Sequence, residues 1–199
     1  MHAAIYIYTF KEGLLSKLAH DLRLAATRFE ISARGTEVEA CFEVAGLCVD
    51  GVMKSGRLER DEPSESDRRK IRDNLLREVL RSSEFAQVRF VGRLGSREPP
   101  FTVSGDLTLC GATKPLSICL RVLGERIEGE VELVPSQWGI KPFRALGGTL
   151  KVQDRVRIVV HAAADWLATG AELDPSVELA WRPGASRASS SGASPRPGT

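Results

Sequence analysis

Residues 105–116, GDLTLCGATKPL, carry two runs of period-two alternation across a central glycine. Before it, Phe101, Val103, Leu107 and Leu109 share one phase, and Thr102, Ser104, Asp106 and Thr108 share the other. After it, Leu116, Ile118, Leu120 and Val122 resume the apolar phase. Alternation at every second residue marks strands with one buried face and one wet face. A tight turn at Gly111 joins the two runs, and Pro115 leads the return. A chain that repeats this pattern folds into a sheet curled around an apolar interior.

The pattern does repeat. Residues 3–10 predict a first strand and 21–33 a second extended run. In 36–46, Val38, Ala40, Phe42 and Val44 alternate with Glu37, Glu39, Cys41 and Glu43. Residues 87–94, 127–134 and 149–162 alternate likewise, and Gly124-Glu125 predicts a hairpin turn. Two segments have a different period. Residues 13–19, GLLSKLA, suit a short helical turn. Residues 66–82 place Ile71, Leu75, Leu76, Val79 and Leu80 on one helical stripe, with Ser64 or Ser66 as the cap. Residues 135–148 are irregular. Seven or eight strands and one helix follow, so the fold class is mainly β. Short turns favour an antiparallel eight-stranded barrel, because closure removes exposed strand edges.

Residues 1–162 form the predicted barrel domain, within what a 199-residue chain can bury as one core. Residues 163–182 form an extension whose Trp166 and Trp181 are candidates to pack back on it. Residues 183–199 hold Ser, Gly, Pro, Arg and Ala without a large apolar side chain, and predict disorder.

Net charge is +2 with 27% charged residues, a near balance that argues against a nucleic-acid binder. No window approaches the roughly 20 apolar residues of a membrane helix. The first residues lack a basic n-region and a long apolar h-region, so the expected location is cytoplasmic, or periplasmic if a signal has been removed. Cys41, Cys48, Cys110 and Cys119 form no CxxC pair and only three histidines are present. Free thiols are therefore expected, with no metal site and no cofactor.

Ser16, His20 and Asp21 lie close in sequence, but there is no GxSxG elbow, and adjacent His and Asp rarely orient one another. An enzyme using His20 and Asp21 ranks last among the readings. Asp50, Asp61, Glu62, Glu65 and Asp67 lack metal-ligand spacing and read as a solvated loop. The interior is the stronger candidate. Inward positions mix large residues (Phe10, Phe42, Phe90, Phe101) with small ones (Ala40, Gly105, Gly129), and small residues leave room for a guest. Leu14, Leu18, Leu76, Leu107, Ile140 and Phe143 complete the expected apolar lining. His20, Lys114 and Arg144 are candidates for the ligand's polar end at one mouth. A filled barrel acting as an interaction module, with no ligand, is the second reading, and a homodimer is left open.

These residues also resemble those of the YceI-like family of polyisoprenoid-binding, lipocalin-like barrels. GDLTLCGATKPL at 105–116 is similar to its G-D-L-T-x-x-G-V-T-K-P-V hairpin. LLREVLRSSEFAQVRF at 75–90 resembles its helix, Ser-x-x-Phe and following strand. Trp138-Gly139-Ile140 and Val-x-Asp-x-Val at 152–156 resemble its F-G-I and closing strand. Residues 16–21, SKLAHD, resemble the S-x-x-G-H segment of one branch. The resemblance implies a barrel whose lengthwise apolar channel holds a polyisoprenoid or isoprenoid quinone by burial, without chemistry. Position 110 departs from it, with Cys where relatives tend to carry a larger polar residue.

Overall fold

In β7 (Gln87–Leu94) burial alternates residue by residue. Phe90, Gly92 and Leu94 are buried, while Arg89, Val91 and Arg93 are exposed. The same two-sided pattern organises the computed structural model, which describes residues 2–12, 21–95, 101–145, 150–164 and 174–175. The strands before β7 are β1 (His2–Glu12), β2 (Asp21–Ala26), β3 (Phe29–Arg34), β4 (Glu37–Glu43), β5 (Leu47–Lys54) and β6 (Arg57–Glu59). After it come β8 (Phe101–Leu109), β9 (Ala112–Leu123), β10 (Arg126–Leu133), β11 (Arg144–Ala145), β12 (Leu150–Ala163) and β13 (Asp174–Pro175).

The main path runs β3-β4-β7-β8-β9-β10-β12-β1-β2-β5-β6, with β11 on β12 and β13 on β1. Every pairing is antiparallel except β13 with β1. The two ends of this path meet in the chain. Only Thr27 and Arg28 separate β2 from β3, and only the 3-10 turn Val44–Gly46 separates β4 from β5. The Thr27 amide donates to Gly46 O at 2.9 Å, and the Glu43 amide to Arg28 O at 3.0 Å. Gly46 permits this corner, since a Cβ there would lie 2.7 Å from the Arg28 Cβ. The sheet therefore curls on itself. Its path counts eleven strands where alternation predicts seven or eight. The 21–33 run breaks at the corner into β2 and β3, and β5 and the short β6 are strands that alternation did not mark.

At the β8–β9 turn Cys110 and Gly111 both take positive φ, 47° and 79°, the pair that matches a two-residue hairpin to strand twist. The expected turns at Gly111 and at 124–125 are present. The helix is α1 (Glu65–Asn74), continued by a π turn over Leu75–Val79. Ser64 accepts the Asp67 amide as its cap. It ends earlier than the predicted residue 82.

Three expectations are corrected here. Asp50 is not in a solvated loop: it sits on β5 and accepts the Arg23 Nε–H at 2.6 Å, with Arg23 itself buried. Gly129 leaves no room for a guest, because the Leu120 and Ile118 side chains fill the space a Cβ would take. Gly105 likewise abuts the backbone of Val91 and Gly92. The four cysteines are free thiols. The predicted helical turn at 13–19, with Leu14, Leu18 and His20, lies outside the described residues, as do Trp166, Trp181 and the tail 183–199.

Candidate functional site

The inward phases of the strands do not meet across the centre. They line a cavity of about 460 Å³, of the size that holds small ligands. Its walls are almost wholly apolar. Ile5 and Ile7 come from β1, Leu22 and Leu24 from β2, and Ala40 and Phe42 from β4. Phe90, Leu107, Leu116, Ile118, Val131 and Ile158 continue around the other strands.

One end is packed shut. Ala3, Ala33, Leu94, Ile127 and Ala162 are buried in the core there without lining the cavity. The other end is covered by two irregular pieces. The helical segment contributes Ile71, Asn74, Leu75, Val79 and Leu80. The segment after the 3-10 turn Pro135–Trp138 contributes Ile140, Lys141, Pro142 and Phe143. Polar groups gather at this end, including Thr9, Lys11, Gln153 and Asp154. The register of β1 against β12 shifts between Thr9 and Lys11, and this irregularity lies where Gln153 and Asp154 reach the mouth.

Five of the residues expected to line the interior do so: Phe42, Phe90, Leu107, Ile140 and Phe143. Three do not. Phe10 projects from the outer face of β1, where the Arg155 guanidinium sits 4.4 Å from its ring centroid. On this strand the odd residues face inward, and Tyr6 and Tyr8 share the outer face with Phe10, each covered by an arginine. Leu76 does not, because Leu75 stands four residues after Ile71 on the face turned to the cavity and Leu76 falls beside that face. Phe101 packs against the core on β8 but lies outside the cavity.

Of the polar-end candidates, Lys114 and Arg144 are exposed and outside the lining. His20 lies beyond the described residues. The Asp21 carboxylate accepts the Lys11 amide at 2.8 Å, so it ties β1 to β2. Asn74 and Lys141 were not anticipated. Asn74 carried a readable signal, since it falls on the same helical stripe as Ile71 and Leu75.

Solved structures share this architecture. A structure titled BcnA from Burkholderia cenocepacia superposes with a TM-score of 0.56 at 12% identity, covering 81% of this chain and 96% of that one. A structure titled as a polyisoprenoid binding domain from Saccharophagus degradans gives 0.51 at 8% identity, covering 81% and 94%. At such identities the likeness is one of fold. No curated protein matches the sequence. The YceI-like domain model matches residues 22–164. The chain belongs to the YceI-like family.

The matched span of this YceI-like chain holds the helix, the 135–143 segment and every cavity-lining strand except β1. β1 lies before it, yet supplies Ile5, Ile7, Thr9 and Lys11 to the lining. Among the described residues no helix is long and apolar enough to cross a membrane.

Proposed function

We propose that this chain binds a long apolar ligand, a polyisoprenoid or isoprenoid quinone, inside the curled sheet. The observation that supports the reading best is a cavity with almost entirely apolar walls and a polar mouth. Each CH₂ moved out of water contributes about 0.8 kcal/mol, so a prenyl chain binds with few polar contacts. Membership of the YceI-like family supports the same ligand class, as does the fold shared with a domain titled polyisoprenoid binding. If β2–β3 and β4–β5 each count as one bent strand, eight staves surround the ligand, with β6 as a flap. In this reading the protein holds its ligand by burial and performs no reaction on it.

Native mass spectrometry of the purified protein tests the proposal. A bound species in the mass range of an isoprenoid, released by organic solvent, supports it. Failure to recover any lipid, together with no binding of fluorescent lipid analogues, overturns it. Ala40→Leu adds bulk inside the cavity between Ile31 and Phe90, its ladder partners. It is expected to weaken analogue binding severalfold with little loss of stability. A stability loss of about 1–3 kcal/mol would instead mark a site already filled.

A further inference from the structure

The polar groups at the mouth divide into those already engaged and those that are not. Gln153 donates through Nε2 to Lys11 O at 3.0 Å and accepts the Arg155 Nε–H at 2.7 Å. Asp154 accepts the Ser136 amide at 2.9 Å. Glu43 pairs with Arg28 at 3.3 Å, and Lys11 has a partner of its own. Thr9, Asn74 and Lys141 also line the cavity, and among the described residues no hydrogen bond or ion pair involves their side chains.

They come from three separate elements: the β1 wall, the end of α1 and the segment after Pro135–Trp138. Asn74 is the telling one. Its cavity-facing neighbours on the helical segment, Ile71, Leu75, Val79 and Leu80, are all apolar. A half-buried amide on an apolar face forfeits water contacts unless something replaces them. It stands where α1 gives way to the π turn, a geometry common at functional sites. Lys141 offers an ammonium with donors only, while Asn74 and Thr9 can each donate as well.

We infer that the ligand carries an oxygen-rich, hydrogen-bond-accepting head, held at the mouth by Asn74 and Lys141 with Thr9 on the wall beside them. The tail then points toward the shut end at Ala3 and Ile127. This inference rests on the lipid-binding reading. The shared chemistry of the head is an acceptor oxygen, supplied either by a quinone carbonyl or by a phosphate ester.

Three probes of similar apolar character test it: squalene, which has no head, farnesyl phosphate, and a farnesylated benzoquinone. Binding is measured to the full chain and to Asn74→Leu and Lys141→Met. Wild type is expected to favour the headed probes. Each variant should weaken headed probes by about tenfold, the equivalent of about 1.4 kcal/mol, and keep squalene within about twofold. Urea unfolding of each variant reports separately that it has folded. A larger loss for farnesyl phosphate than for the quinone on Lys141→Met assigns a phosphate head, and equal losses assign a carbonyl. Unchanged binding of headed probes, or an equal loss for squalene, overturns the inference and leaves the lipid reading standing. If none of the three probes binds wild type, the lipid reading fails with it.

Discussion

The indole Nε1–H of Trp138 donates to the backbone carbonyl of Leu107 across 3.1 Å, in a buried contact. Trp138 ends the 3-10 turn that follows β10, and Gly139 takes φ 75° immediately after it. Leu107 belongs to the β8 wall of the cavity. The bond thus ties the mouth segment carrying Ile140, Lys141 and Phe143 to the β8 wall, while the Val152 amide, donating to Phe143 O at 3.1 Å, ties it to β12.

Trp138→Phe keeps an aromatic ring and removes the donor. It is expected to destabilise by about 1 kcal/mol, and Trp138→Ala by about 3–5 kcal/mol through the added cavity. Urea unfolding of both variants measures the difference. Equal stability of Trp138→Phe and wild type would show that the bond contributes nothing.

No residue of α1 is fully buried, so apolar packing alone does not hold it. Arginines do. Arg68 donates from Nη1 to Val49 O at 2.6 Å, from Nε to Pro63 O at 3.0 Å, and from Nη2 to the carbonyls of Glu62 and Arg60. Arg72 donates to Leu47 O at 3.0 Å and to Ala45 O at 2.7 Å. Arg68→Met is expected to cost about 2 kcal/mol and to speed amide exchange in α1, while β8 and β9 keep their protection. Arg68→Lys restores charge without the planar fork and rescues only part of the loss. Uniform exchange changes across the molecule would contradict a local anchoring role.

His161 lies on the outer face of β12, with its Nδ1 3.7 Å from the Glu128 carboxylate and its ring edge-on to Tyr6. Burial lowers its pKa from the ordinary 6.5, outweighing Glu128, and Arg126 and Arg23 add to the lowering. The unfolded chain then binds the proton more readily. Stability contributed by neutral His161 is present above the ordinary 6.5 and is lost as pH falls through the lower folded value. Thermal melts of wild type should drop over that acid range, and His161→Gln should drop less. Superimposable pH profiles of the two proteins would refute this account.

Local patterns were read well where one face of a strand is polar. The limits of β7, the hairpin at Gly111 and the Ser64 cap follow from alternation, turn chemistry and side-chain oxygen placement. Phe42, Phe90 and Leu107 were found for the same reason, while Ile140 and Phe143 were chosen as the apolar residues of an irregular segment. β5 was missed because LCVDGVMK places Asp50 beside Gly51, and the register against β2 shifts nearby. Phe10 was misplaced because both faces of β1 are apolar, Ile5 and Ile7 on one and Tyr6, Tyr8 and Phe10 on the other. Hydropathy cannot say which of two greasy faces turns inward when arginines from β2 and β12 cover the outer one. Leu75 and Leu76 were both placed on the stripe because both are leucine, and hydropathy does not separate neighbours of which only the one four residues after Ile71 faces the cavity.

The order of residues alone dictates two-faced strands and an apolar interior, since period two and turn chemistry act between near neighbours. Whether that interior is solid or hollow depends on the corner at Thr27–Arg28, on bulges, and on which side chains fill the gaps beside glycines. Those are contacts between distant segments, set by register and curvature. They also decide that Asn74 and Lys141, far apart in the chain, face the same cavity.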